Sequence, residues 1–210
     1  MRGFSAAIGA MASAIVVTAL VIPGTAAAEP PGIPTADAAR GMLDALTVAD
    51  EGSMSGYSRE KFPHWSTVSG ACTTRETVLR RDGSGVEVDA RCRPTAGSWH
   101  SPYDDKTVSE PGDVDIDHVV ALAEAWRSGA ADWSAERREQ FANDLDDPQL
   151  IAVTAASNRA KGDQDPAQWL PPNTAYRCTY ARMWVAVKST WALTLQQSEK
   201  DAVAEALRSC

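Results

Sequence analysis

The sequence predicts an α+β domain: a small antiparallel strand pair and a short helix, surrounded by further helices, with a separate disulfide-stapled β-hairpin. Three observations predict it. Asp113-Val114-Asp115-Ile116-Asp117 alternates polar and apolar without a break, the period of a half-buried strand with Val114 and Ile116 inward. Leu150-Ile151-Ala152-Val153 is a short apolar run suited to a buried strand, and Thr154 to Lys161 then reads as a short helix that Gly162 stops. Tyr180, Trp184, Val187 and Trp191 stand at helical spacing and form a core-facing stripe.

The remaining elements follow in chain order. Arg2 is the only charge before Glu29, an apolar stretch runs from Ile8 to Ile22, and Pro23-Gly24 precedes Ala26-Ala27-Ala28. This is the layout of a secretory signal peptide over 1–28, cleaved after Ala28. The run is broken by small residues, and no second apolar span follows it, which reads against a membrane anchor. Residues 29–34 are Pro/Gly-rich and read as a flexible new N-terminus, with a single domain over 35–210. Thr35 can cap a helix from Ala36 to about Val48. Asp50 to Gly56 is a polar loop, and Tyr57 to Trp65 is a dense mixture of charge and aromatic rings. Thr77–Arg81 and Gly85–Asp89 read as two strands around an Asp82-Gly83-Ser84 turn. Val119 to Arg127 reads as a helix that Gly129 can end. Ser134 can cap a helix through Leu145, and Ser198 can cap the last one.

Secretion permits disulfides. The four cysteines, Cys72, Cys92, Cys178 and Cys210, allow three pairings. Local pairing, Cys72–Cys92 and Cys178–Cys210, is expected because each pair brackets a compact segment. A zinc site is the rival reading, but no C-x-x-C pair exists.

The chain has 28 acidic and 20 basic residues and a net charge of −8, and loss of the signal peptide removes only one positive charge. That excludes a protein relying on a broad basic surface to hold nucleic acid. Local positive potential is expected around Arg75, Arg80, Arg81, Arg91 and Arg93, and around Arg177, Arg182 and Lys188.

Asp117-His118 at the end of the alternating strand and Asn158-Arg159-Ala160-Lys161 on the later helix are the residues with chemistry to offer. Phosphodiester hydrolysis needs an activated water, stabilisation of growing negative charge and help for the leaving oxygen. A near-neutral imidazole can take the proton, and a carboxylate with an amide oxygen can hold a hard divalent cation. Neighbouring strand residues point to opposite faces, so Asp117 and His118 would act from two sides of one phosphate.

The order of strand ending in Asp-His, strand, and helix bearing Asn-x-x-Lys resembles the HNH endonucleases. In particular it resembles the HNH-type domain of the GmrSD restriction enzymes and secreted actinobacterial proteins of that kind, with the core at about 113–172 and weaker echoes in Tyr57–Trp65, Ser101-Pro102-Tyr103 and Tyr176–Trp191 that extend the resemblance over most of the mature chain. The resemblance implies a ββα-metal (His-Me finger) core, with His118 as general base and Asp117 and Asn158 as metal ligands. It implies Mg²⁺ as the cation, with Mn²⁺ and Zn²⁺ as alternatives, and DNA or RNA as substrate. Lys161 would steady the phosphate, with a solvated lysine near a helix C-terminus as the plain alternative. Gln149 stands where the family usually has Asn, a residue that orients the loop carrying the histidine. Asp115 shares the face of Asp117, as a second ligand or as a solvated strand residue. His64 and His100 read as packing or hydrogen-bonding residues. The expected protein is a secreted, monomeric endonuclease without a membrane span after cleavage. A non-catalytic binding protein of the same fold and a hydrolase of another phosphoester are the rival functions.

Overall fold

The computed structural model describes residues 1, 3 and 29–210. The signal peptide expected over 1–28 lies outside the described residues, apart from Met1 and Gly3. Helix α1 (Ala36–Ala45) begins where the Thr35 hydroxyl accepts the Ala38 N–H, and it buries Ala39 and Leu43. It stops before Val48 because Thr47 to Ala49 is extended, with Thr47 O accepting from Leu195 N and Ala49 N donating to Leu195 O.

A two-stranded ribbon, β1 (Thr67–Ser69) and β2 (Cys72–Thr73), leads into α2 (Thr74–Asp82). The strand expected over Thr77–Arg81 is therefore helical. The reason is a capping box: the Glu76 carboxylate reaches back to the Thr73 N–H at 3.2 Å. The hairpin forms one element later. Strands β3 (Gly83–Val88), β4 (Pro94–Ser101) and β5 (Lys106–Val108) make an antiparallel sheet in that order. Gly83 lets the chain pass from α2 into β3 against Trp99, because a Cβ there would sit 2.5 Å from the indole nitrogen. The Cys72–Cys92 disulfide (Cα–Cα 5.1 Å) ties β2 to the β3–β4 turn, so it staples the hairpin's closed end and not its open ends.

Strand β6 (Val114–His118) pairs antiparallel with β7 (Leu150–Thr154), from Val114 opposite Thr154 to His118 opposite Leu150. Between them lie α3 (Leu122–Arg127) and α4 (Ala135–Ala142), the latter capped by Ser134 as expected. Helix α5 (Ala155–Lys161) follows β7 directly, capped by Thr154, and ends at Gly162 with φ +58°. Helices α6 (Arg177–Thr190) and α7 (Gln197–Arg208) complete the chain, and the Cys178–Cys210 disulfide joins them. The last helix is capped by Gln196 with Glu199 and not by Ser198.

Two apolar clusters hold these elements. The larger gathers α1, α3, α6 and α7, with Tyr180, Trp184 and Val187 of the expected stripe fully buried. The smaller packs Val78, Leu79 and Trp99 against Val114, Ile116, Leu150 and Ala152. The β6–β7 pair lies between them. One face carries Ile116, His118 and Leu150; the other carries Asp115, Asp117, Ile151 and Val153, by strand alternation. The end of α2 also covers the free edge of β7: Asp82 accepts the Ala152 N–H and Arg81 donates to Leu150 O.

Candidate active site

Alternation along β6 sends Asp117 and His118 in opposite directions. The Asp117 side chain points into the protein and is 4% exposed, with partners on both oxygens. Oδ1 accepts from Lys161 Nζ at 2.8 Å, and Oδ2 accepts from the Tyr103 hydroxyl at 2.8 Å. Lys161 is 0% exposed and also donates to the His118 carbonyl at 2.8 Å. Burial pushes the Asp117 carboxyl above the usual carboxylate range, and Lys161 and Tyr103 oppose the shift. Burial, then the charge of Asp117, pushes the Tyr103 phenol well above its ordinary value, so it remains a donor.

His118 faces the other way. Its Nε2 lies 2.9 Å from the Ala142 carbonyl. A carbonyl only accepts, so Nε2 carries the proton and Nδ1 is the basic nitrogen of the neutral ring. Burial lowers the imidazole pKa to about 3; the Ala142 bond opposes this, and the charges of Arg59, His64 and Lys161 add to it. Trp65 stacks on the ring with centroids 5.6 Å apart, and the His64 ring lies 6.3 Å away. The same carbonyl explains why α4 ends at Ala142 instead of Leu145. Asn143 turns out of the helix, where its side chain joins Ser66, Thr74 and Pro63.

Gln149 is buried and clamps the residues that follow His118. Its amide accepts from Val120 N at 3.0 Å and donates to Val120 O at 2.9 Å, while its carbonyl accepts from Val119 N at 2.7 Å. These bonds engage the backbone of Val119 and Val120 outside any helix, so α3 starts at Leu122 and not at Val119. Asn158, on α5, donates to Asp115 Oδ2 at 3.2 Å, and its Oδ1 accepts no hydrogen bond among the described residues. Asp115 thus joins the site, whereas Asp113 lies in the turn before β6.

Asp117, His118 and Asn158 line one small cavity of about 60 Å³ with Arg59, Ile116, Ala121, Leu122 and Gly162. Arg59, Tyr103 and Trp65 were not singled out by sequence. They sit in Tyr57–Trp65 and Ser101-Pro102-Tyr103, and no spacing rule links those segments to Asp117. His100 is outside the site and pairs with Asp105 on the far sheet.

Of the residues expected to carry local positive potential, some are neutralised by carboxylates and others keep their charge. Lys188 is buried between Glu124 and Glu199, at 2.8 and 2.7 Å. Arg81 binds Asp82 and Arg93 binds Asp89. Arg177 and Arg182 donate to the carbonyls of Pro171 and Pro34.

Residues 88–206 match the family of GmrSD restriction endonuclease C-terminal domains, and the chain belongs to that family. It is also 54% identical over 201 residues to a protein of Arthroderma benhamiae described as an uncharacterized secreted protein, covering 96% of this chain and 97% of that one. That relative is fungal, not actinobacterial. No solved structure gives a significant match. The family supports a nuclease-related function, and the two disulfides agree with an extracellular location. Among the described residues no helix is long and apolar enough to cross a membrane.

Proposed function

We propose that the protein is a secreted, metal-dependent endonuclease that hydrolyses phosphodiester bonds in DNA or RNA, with β6, β7 and α5 forming a ββα-metal core of the HNH type. One observation carries the reading: an imidazole with its tautomer set by a backbone carbonyl lines the same small cavity as a carboxylate and an unengaged amide oxygen. The donor set suits a hard cation such as Mg²⁺. Asn158 Oδ1 is uncommitted, and each Asp117 oxygen keeps acceptor capacity beyond its single hydrogen bond. Among the described residues no three His, Cys, Asp or Glu side chains assemble a metal site, so water and phosphate oxygens would complete the shell. Asp117 and Asn158 would hold the cation, with Asp115 behind Asn158. When bound, the cation supplies positive charge beside the scissile phosphate.

The protein's own groups supply the rest. His118 Nδ1 takes a proton from water as the water oxygen attacks phosphorus and the bond to the leaving oxygen breaks. A phosphate beside the ring raises the imidazole pKa, because nearby negative charge favours the protonated form. Ala142 sets the ring's tautomer, Trp65 stacks on it, and Gln149 holds the backbone that follows it. Lys161 and Tyr103 fix Asp117, so Lys161 acts on the carboxylate and not on the phosphate.

One observation favours a second reading. Asp117 already has a cationic partner in Lys161, as suits a binding protein that retains the fold without catalysis. One assay separates the two. The mature, oxidised protein is incubated with supercoiled plasmid and Mg²⁺ or Mn²⁺, with and without EDTA, beside His118→Ala. Metal-dependent nicking that the variant loses by about 10²–10⁴-fold supports the nuclease. Folded protein that cuts nothing with either metal supports the binding reading.

A further inference from the structure

We propose that Arg59 docks the substrate phosphate, so that a segment upstream of the family-matched region completes the site; this rests on the nuclease reading. The family match begins at residue 88, yet Arg59 lines the cavity of Asp117, His118 and Asn158. Among the described residues its guanidinium has no hydrogen-bond or ion-pair partner. Most other arginines are committed: Arg127, for example, binds Glu51, Glu124 and Asp163.

The backbone that carries Arg59 is fixed. Residues 59–61 form a single 3₁₀ turn, with Lys61 N donating to Ser58 O and Phe62 N to Arg59 O, each at 3.1 Å. Phe62 is fully buried against Tyr57, Trp126 and Phe141, and Arg138 Nε donates to Lys61 O at 3.1 Å. Three residues after this turn, Trp65 stacks on His118. The segment therefore wraps the imidazole while presenting one uncommitted cation to the cavity.

Size and chemistry define what that cation meets. The cavity is small, about 60 Å³, and lined by an acid, an imidazole, an amide and this one guanidinium, a polar setting that suits a phosphate oxygen. A guanidinium binds two non-bridging phosphate oxygens through parallel N–H donors, which an ammonium cannot reproduce. Arg59 thus holds the backbone of the nucleic acid, a contact that carries no sequence information.

The test uses the mature, oxidised protein as wild type, Arg59→Ala and Arg59→Lys. Plasmid nicking in Mg²⁺ is followed together with the salt dependence of binding to a labelled duplex oligonucleotide in EDTA. Arg59→Ala is expected to lower kcat/KM by about 10–100-fold. Arg59→Lys is expected to fall between it and wild type. The slope of log affinity against log salt becomes shallower by about one in Arg59→Ala, with Tm unchanged. Wild type that cuts, with Arg59→Ala matching it in rate and slope, overturns the Arg59 assignment and leaves the nuclease reading standing. Wild type that binds without cutting defeats the nuclease reading, and the slope still decides Arg59. Wild type that neither binds nor cuts overturns both.

Discussion

Replacing Lys161 by Met removes a buried charge while keeping most of the volume of its stem. The native pair is 2.8 Å long and both partners are almost wholly removed from water, at 0% and 4% exposed. Taking away one partner of such a pair leaves an uncompensated carboxylate and costs about 3–5 kcal/mol. For a domain of this size that lowers Tm by roughly 6–20 °C. The loss depends on pH in a defined direction. Burial already pushes the Asp117 carboxyl upward against Lys161, and in the variant only Tyr103 opposes it. An acid whose folded pKa exceeds its unfolded value binds more protons when folded, so stability falls as pH rises through that window. The deficit of Lys161→Met is therefore smallest in acid and grows toward neutrality. Urea unfolding in EDTA, with disulfides intact, measures it across pH. Asp117→Asn added to Lys161→Met removes the orphaned charge and recovers stability at neutral pH. A neutral-pH deficit below about 1 kcal/mol, the value of an exposed pair, or no recovery in the double variant, would refute the reasoning.

Three further outcomes are expected. His118 is buried neutral with its pKa lowered to about 3, so its contribution to stability is present above about pH 6.5 and is lost as pH falls toward 3, by up to about 1.4 kcal/mol per unit; chemical denaturation of His118→Gln beside wild type should show the shallower acid slope in the variant. Gln149→Asn is too short to keep both bonds to Val120, which costs roughly 2–4 kcal/mol and lowers nicking more than binding; calorimetry and the plasmid assay read the two effects, and an unaltered Tm would show that the clamp is dispensable. Removing the Cys178–Cys210 bridge, with its sequence separation of 32, costs about 4 kcal/mol by the chain-entropy relation, read as a lower denaturation midpoint in a Cys178→Ser/Cys210→Ser variant.

The β6–β7–α5 unit was legible because its signals are local: unbroken alternation before Asp117, a short apolar run, and the stop at Gly162. The cysteine pairing was legible for the same reason. Helix α2 reads as a strand although Thr73 and Glu76 carry a capping-box spacing, because Asp82-Gly83-Ser84 has the composition of a hairpin turn. The start of α3 could not be read, since Gln149, 29 residues from Val120, engages that residue's backbone. The site shows the same limit. Asp117, His118 and Asn158 were chosen from order and spacing. Tyr103 reaches Asp117 across 14 residues and Lys161 across 44, and neither contact leaves a mark in local sequence. The burial of Lys188 between Glu124 and Glu199 was not legible either, because a count of cations says nothing about which carboxylate each one meets.

The ion pair inside the site has a consequence for how the molecule matures. The buried Asp117 carries a built-in counterion from α5, so its burial requires no dissolved metal, unlike a zinc finger, which collapses only around its ion. On the proposed nuclease reading, chelators silence the protein without unfolding it, and its disulfides form in a metal-poor compartment.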